Sequence, residues 1–237
     1  MSDKKKIIKR VISFIAILLI IIVVGFLIYA SDYYKAEEEA ISILETDDSI
    51  IIKENYLVLS PEIETTTALI FYPGAKVEYI AYLPILEQIK NKSNIKCILV
   101  EMPFNMAIFD SNAADEIISS YPEIESWYIG GHSMGGAMAS SYASNNKEKV
   151  NGLILMGAYV YGDYPPKDAL TVYGTFNTSV GEKIDYNENI VIIEGGNHAQ
   201  FGNYGKQRGD PDATISTLKQ QEITVEAIKE FIKDEDD

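Results

Sequence analysis

A serine between two glycines is the first candidate for covalent chemistry in this sequence. Residues 131–135 read GHSMG and fit the pattern G-x-S-x-G, in which the glycines leave room for a sharp turn from a strand into a helix. A β-rich run, 126–130, precedes the motif, and a run of small residues, 134–143, follows it. We predict that Ser133 is a nucleophile at this turn. The backbone N–H of Met134 and the positive end of the helix would then stabilise an oxyanion beside it.

A serine hydroxyl needs a base before it attacks a carbonyl group, and the chain contains two histidines. His132 is the direct neighbour of Ser133, and neighbouring side chains on a turn point apart, so it is a poor base for that serine. His198 lies in a glycine-rich loop after the last apolar run. The order serine then histidine matches hydrolases with this motif, so we predict that His198 is the base.

A second donor for the oxyanion is expected in the loop after an early strand. The residues 72–76 read YPGAK and follow the apolar run 67–72. Gly74 lets the backbone approach a ligand closely. We therefore predict the backbone N–H of Ala75 as the second donor, with Lys76 as the next candidate.

Apolar runs and helical patterns alternate along the part of the chain that must position these residues. Strands of continuous Ile, Leu and Val between helices predict an α/β fold with a mostly parallel sheet and helices on both faces. Ligands bind at the carboxyl ends of such strands. An antiparallel hairpin is predicted from the runs 49–53 and 56–60. Further strands are predicted at 67–72, 96–101, 126–130, 150–156, 170–173 and 190–194, and helices at 79–92, 110–121, 134–145 and 219–233.

Several motifs together resemble the α/β-hydrolase superfamily, and more narrowly its small, lidless, dienelactone-hydrolase-like bacterial branch, often found behind an N-terminal membrane anchor. The resemblance covers roughly residues 67–234 and implies a serine hydrolase with a Ser–acid–His triad and no metal or organic cofactor. It rests on the closing amphipathic helix and on FYPGAKV at 71–77, EMPFN at 101–105, GGHSMGGAMA at 130–139 and IEGGNHAQFG at 193–202.

The triad acid is where the sequence departs from that family. The family places an Asp in the loop after the strand that corresponds to 170–173, and the matching position here is Asn177. An Asn orients an imidazole but cannot stabilise an imidazolium by charge. Three accounts are open: Asn177 is a weak orienter, another carboxylate (Asp163, Glu182 or Asp185) replaces the acid, or the enzyme is largely disabled. Two later carboxylates are predicted as loop or cap residues, Asp210 and Asp212.

The segment 11–30 contains twenty consecutive uncharged residues, enough for a helix across the roughly 30 Å hydrocarbon layer. Five cations in the tip 1–10 precede it and acidic residues follow it, so the positive-inside rule places the N-terminus in the cytoplasm and the catalytic domain outside. A cleaved signal peptide is the alternative, but the apolar run is long for one. A juxtamembrane helix and the hairpin are predicted within 31–66, and the hydrolase domain within 67–237.

Composition excludes several other classes of function. The net charge of −15 over 237 residues argues against nucleic acid as a partner. A single cysteine excludes an internal disulfide and a zinc site built on several thiolates. The family resemblance implies no cofactor and no metal, and the serine motif implies a small-molecule acyl substrate. Because the apolar segment ends before residue 31, we also expect the catalytic domain to be monomeric.

The leading hypothesis is a membrane-anchored, esterase-like serine hydrolase that acts through an acyl-enzyme. Two alternatives stay open. One is a non-catalytic binding or scaffold domain on a hydrolase fold, which the Asn at the acid position suggests. The other is an acyltransferase, which passes the acyl group to an acceptor other than water.

Overall fold

The structure is a computed structural model that describes residues 3–236. Two compact units divide between Tyr33 and Tyr34. The predicted cytoplasmic tip and hydrolase domain extend to residues 1, 2 and 237, which lie outside the described residues. The first unit contains helix α1, Asp3–Ser31. By length and composition, its part from Lys5 to Ser31 is apolar enough to cross a membrane.

The second unit is built on one sheet of eight strands in the order β1-β2-β4-β3-β5-β6-β7-β8. The first two strands are antiparallel to their neighbours, and all other neighbouring pairs are parallel. The strands are β1 Ile51–Ile52, β2 Tyr56–Leu59, β3 Thr67–Tyr72, β4 Lys96–Val100, β5 Ser126–His132, β6 Gly152–Met156, β7 Ala169–Gly174 and β8 Ile190–Ile193.

Helices cover both faces of this sheet. Alternate residues of β3 belong to two different apolar clusters: Leu69 and Phe71 pack in one, with residues of α3 and α7, and Ala68 and Ile70 in the other, with residues of α4 and α5. The sheet is therefore buried on both sides, as its continuous apolar strands predict. The helices after α1 are α2 Glu38–Thr46, α3 Leu83–Ser93, α4 Ala114–Ser120, α5 Met134–Asn145, α6 Thr178–Gly181 and α7 Thr217–Asp236.

The predicted fold class, with its mostly parallel sheet, is confirmed. The predicted hairpin is present, with Ile51 opposite Val58, and β2 also pairs with β4, so the hairpin extends the main sheet. The predicted helix 79–92 is divided. It starts as a 3-10 helix, Tyr79–Tyr82, and becomes α3 at Leu83.

Candidate active site

Ser133 lies where β5 ends and α5 begins. Its backbone adopts φ 54° and ψ −120°, a conformation that costs energy for a residue with a side chain and that concentrates at functional turns. A Cβ atom added at Gly135 would lie 2.2 Å from the Tyr72 carbonyl oxygen, and one at Gly131 would lie 2.6 Å from the same atom. The end of β3 therefore packs directly on this turn, and only glycine fits at both positions.

His198 lies in the loop after β8, at the start of the 3-10 helix Ala199–Phe201. It lines the same cavity as Ser133, Met134 and Asn177, with a volume of about 710 Å³. Within residues 3–236 no hydrogen bond joins the Ser133 hydroxyl to His198. Such bonds are often long in unliganded enzymes and shorten when substrate binds.

The side chain of Asn177 contacts the imidazole ring of His198 at its Nδ1 atom. Its Nδ2 lies 2.7 Å from Nδ1 of His198, and the Ser179 hydroxyl donates to its Oδ1 at 3.2 Å. An amide carries both a donor and an acceptor. With Nδ2 towards the ring, the imidazole carries its proton on Nε2. With the amide turned over, Oδ1 accepts from Nδ1–H, and Nε2 is free to take a proton from a hydroxyl.

The structure brings Asn177 to His198 but not the three carboxylates considered as substitutes. Asp163 is fully exposed and forms an ion pair with Lys147 at 2.9 Å. Glu182 and Asp185 are exposed as well, and neither hydrogen bonds to the His198 ring within the described part of the chain.

The carboxylate that does reach the histidine segment is Asp210. Its two oxygens accept hydrogen bonds from the backbone N–H groups of His198 (3.2 Å) and Ala199 (2.8 Å). Asp210 thus caps the short 3-10 helix, as the sequence suggested, but it also lines the cavity. Twelve positions separate it from His198, and no local pattern in the sequence links the two.

Burial sets the protonation of both histidines. It lowers the pKa of His198 below its usual value, and the charge of Asp210 partly opposes this effect. Burial also lowers the pKa of His132, and the nearby His198 lowers it further. Both rings are therefore neutral near pH 7, which is the state that a general base requires.

The loop after β3 leaves one backbone donor available. The N–H of Gly74 donates to the Tyr82 hydroxyl at 3.1 Å, and that of Lys76 donates to the carbonyl of Asn105 at 2.7 Å. No hydrogen bond of the Ala75 N–H occurs among the described residues. This difference favours Ala75 over Lys76 as the second oxyanion donor. Ala75 does not itself line the cavity.

His132 has a structural role that the sequence did not reveal. Its Nε2 lies 2.9 Å from the backbone oxygen of His198, and its Nδ1 lies 2.8 Å from the Tyr82 hydroxyl. Because a carbonyl oxygen only accepts, the ring proton lies on Nε2, and Tyr82 donates to Nδ1. The Tyr82 oxygen in turn accepts from Gly74. Two buried hydrogen bonds and one partly buried hydrogen bond therefore connect the loop after β3 to the backbone of His198.

The side chain of Cys97 does not line this cavity. Among the described residues, no group of three or more His, Cys, Asp and Glu side chains is placed to hold a metal ion. Cys97 is buried, and burial raises the pKa of its thiol to about 12. A protonated, buried thiol is unreactive.

Comparisons with known proteins identify the family of this chain and proteins that share its fold. The segment 68–222 matches the profile of the family described as "Alpha/beta hydrolase family". No curated protein sequence matches the chain.

Three solved structures with this fold illustrate the likeness. Carboxyl esterase 2 from the mycorrhizal fungus Tuber melanosporum has a TM-score of 0.58 at 12% identity, over 85% of this chain and 91% of that one. A soluble variant of monoglyceride lipase from Saccharomyces cerevisiae gives 0.56 at 10%, over 78% and 94%. MenH from S. aureus gives 0.53 at 15%, over 78% and 100%. Since the family profile covers more than half of the sequence and includes the turn at Ser133, this chain belongs to the alpha/beta hydrolase family.

Proposed function

We propose that this protein is a membrane-anchored serine hydrolase that cleaves a carboxylic ester through an acyl-enzyme. The observation that carries the proposal is the strained turn at Ser133 (φ 54°), which opens into the same cavity as His198. A structural turn has no need of a strained serine that shares a cavity with a neutral, half-buried histidine, whereas acyl transfer requires a nucleophile and a base together.

The reaction follows from this arrangement. The Ser133 oxygen attacks the ester carbonyl carbon, and its proton moves to Nε2 of His198. The N–H groups of Met134 and Ala75 stabilise the oxyanion of the tetrahedral intermediate. His198 then gives the proton to the departing alcohol, which leaves the acyl group on Ser133. Water attacks the acyl-enzyme with His198 again as the base, and the free acid departs.

Asn177 takes the place of the acid in this scheme. It orients the ring when Oδ1 accepts from Nδ1–H, but it gives the imidazolium no opposite charge. Changing the acid to its amide in a serine protease lowers turnover by about ten-thousand-fold, largely through the tautomer. We therefore expect a slow enzyme, active first on esters with good leaving groups.

Labelling with a fluorophosphonate, which reacts with activated serines, tests the proposal. The full chain in detergent should be labelled and should hydrolyse an activated ester, and Ser133→Ala should lose both activities while keeping its thermal unfolding midpoint. The matched control is Ser119→Ala, at an exposed serine outside the cavity. Unchanged labelling of Ser133→Ala would refute the assignment. An unlabelled wild-type protein that is folded would instead favour the non-catalytic binding domain.

The membrane part of the proposal rests on α1. Its large apolar side chains are exposed, Phe14 by 68% and Ile28 by 67%, and lipid would cover them at no cost in hydration. We propose that this helix is an uncleaved anchor with the following domain outside the cytoplasm. Mass spectrometry of the membrane fraction tests this: the intact N-terminus is expected, whereas a mature protein that begins after residue 30 would establish a signal peptide.

A further inference from the structure

The cavity that holds Ser133 has an unusual charge for this protein. Residues 1–30 hold five cations and one carboxylate, so the rest of the chain carries a net charge of −19. Three charged residues nevertheless line the cavity, and two of them are the cations Lys183 and Arg208. The third, Asp210, has both oxygens engaged by backbone N–H groups.

The two cations also lack charged partners among the residues that the structure describes. Within residues 3–236 neither the Lys183 ammonium nor the Arg208 guanidinium forms an ion pair or a side-chain hydrogen bond. Two other exposed lysines do have partners: Lys206, two positions before Arg208, pairs with Asp212, and Lys147 pairs with Asp163. Lys35 and Lys53 form no ion pair among the described residues either, but they do not line the cavity. Lys183 and Arg208 are distinguished by their place, because both line the cavity of Ser133 without a paired carboxylate.

Their positions in the chain explain how they meet the reacting groups. Lys183 follows α6, in the loop that carries Asn177, and Arg208 lies in the loop between His198 and Asp210. Both loops leave the carboxyl ends of neighbouring strands, β7 and β8, so they border the same side of the cavity. An ester bound at Ser133 would therefore occupy a cavity that these two side chains also line.

We propose that the substrate of this site is an anionic ester, which carries a carboxylate, sulfonate or phosphate group within reach of Lys183 and Arg208. The inference rests on the proposed hydrolase function and adds the chemical class of its substrate. A guanidinium binds such groups through two parallel hydrogen bonds, and an ammonium binds them as a point charge. Both side chains are exposed, so each contact is modest and weakens with salt.

Two matched pairs of esters test the proposal on the full chain in a non-ionic detergent. In the first pair, mono-4-nitrophenyl adipate carries a carboxylate on its acyl chain, and 4-nitrophenyl hexanoate is its neutral counterpart. In the second pair, 4-acetoxybenzenesulfonate carries a sulfonate on its leaving group, and 4-acetoxybenzenesulfonamide is its neutral counterpart. The wild-type protein should prefer the anionic member of at least one pair in kcat/KM. The double variant Lys183→Gln, Arg208→Gln should reduce that preference by about fivefold and leave kcat/KM for the neutral member within twofold.

The control double variant removes the same charge elsewhere, as Lys147→Gln with Lys206→Gln, and should keep the wild-type preference. An equal preference in the wild-type protein and the Lys183, Arg208 double variant, for both pairs, would overturn the inference. An equal loss in the control variant would do the same, because it would assign the effect to overall charge. Turnover that survives Ser133→Ala would instead refute the proposed function. If the esters react too slowly, labelling rates of fluorophosphonates with a carboxylate or a neutral tail give the same ratio.

Discussion

The turn that carries Ser133 is held in place by contacts of the main chain, whereas the loop that carries His198 is held in place by side chains. Around Ser133 the constraints come from main chain: Gly131 and Gly135 lie against the Tyr72 carbonyl, and the Ser133 N–H donates to the carbonyl of Met156 at 3.0 Å. A turn of this kind changes only if a glycine or a strand changes.

Around His198 the constraints come from side chains. Asp210 accepts from the His198 backbone, Gln220 bonds the preceding residue through both ends of its amide, and Asn177 meets the ring. Each of these contacts depends on one side chain, so a single substitution can alter it and leave the fold intact. Asn177 stands at such a position. The comparison teaches that the position of Ser133, the proposed nucleophile, resists single substitutions, whereas the position of His198, the proposed base, can be altered by one of them.

Adding one methyl group to the serine turn should have the largest effect. Gly135→Ala would place a Cβ 2.2 Å from the Tyr72 carbonyl oxygen and 2.4 Å from that of Pro73, and neither backbone atom can move without shifting β3. We expect a loss of about 1–3 kcal/mol in the free energy of unfolding. Ester turnover should fall by at least about a hundredfold, because a 1 Å misplacement alone has that effect. Denaturant unfolding and steady-state kinetics measure the two effects.

Ser133→Ala serves as the comparison for that variant, since it loses turnover without loss of stability. A Gly135→Ala protein with wild-type turnover would mean that the turn is not constrained as described.

Restoring the acid should have the next largest effect, in the opposite direction. Asn177→Asp would place a carboxylate against Nδ1 of His198, fix the ring proton there and stabilise the imidazolium. We expect ester turnover to rise by at least about tenfold, or roughly 1.4 kcal/mol of transition-state stabilisation. The acid limb of the pH profile of kcat/KM should move to higher pH, because the new charge raises the pKa of His198.

Three control variants remove the carboxylates that the structure places away from His198: Asp163→Asn, Glu182→Gln and Asp185→Asn. Each should keep wild-type turnover. A loss of turnover in one of them, with no gain in Asn177→Asp, would identify that residue as the acid.

Removing one hydroxyl tests the connection between the loop after β3 and His198. Tyr82→Phe would leave the Gly74 N–H and Nδ1 of His132 without their partner in a buried site. We expect a loss of about 1–3 kcal/mol in the free energy of unfolding and a severalfold lower kcat at nearly constant KM. The matched control is Tyr164→Phe, which removes a buried hydroxyl that bonds to the carbonyl of Val150. Tyr164→Phe should lower the free energy of unfolding and leave kcat unchanged. An equal fall in kcat in both variants would mean that the effect of Tyr82→Phe comes from lost stability and not from the connection to His198.

The smallest expected effect concerns the pH profile. Burial lowers the pKa of His198 and Asp210 opposes this, so kcat/KM should fall with acid only at pH values below about 6.5, the ordinary histidine pKa. Asp210→Asn removes the opposing charge, lowers that pKa further and should move the acid limb to still lower pH. Lys206→Gln, in the same loop, should leave the limb in place. A limb that moves to higher pH in Asp210→Asn would contradict the electrostatic role of this residue.

Much of the fold was readable from local patterns. The bounds of α5 were predicted as 134–145 and are those of the structure, because glycines, a strand and a run of small residues are encoded side by side. The family resemblance places Asn177 at the acid position but leaves open whether another carboxylate replaces it, and in the structure Asn177 is the side chain that meets the His198 ring. The 3-10 start of the helix at Tyr79–Tyr82 was not predicted, since its apolar spacing fits an α-helix equally well.

Local sequence patterns do not predict hydrogen bonds between residues that lie far apart in the chain. Tyr82 meets His132 across 50 positions, and His132 meets the His198 backbone across 66, so no spacing rule relates them. The sequence predicts Ala75 ahead of Lys76 as the second oxyanion donor, but that the Lys76 N–H already bonds to the Asn105 carbonyl is visible only in the folded loop. A sequence encodes a turn in neighbouring residues, whereas the partner of a buried polar group depends on which strands lie side by side, and that order exists only in the folded sheet.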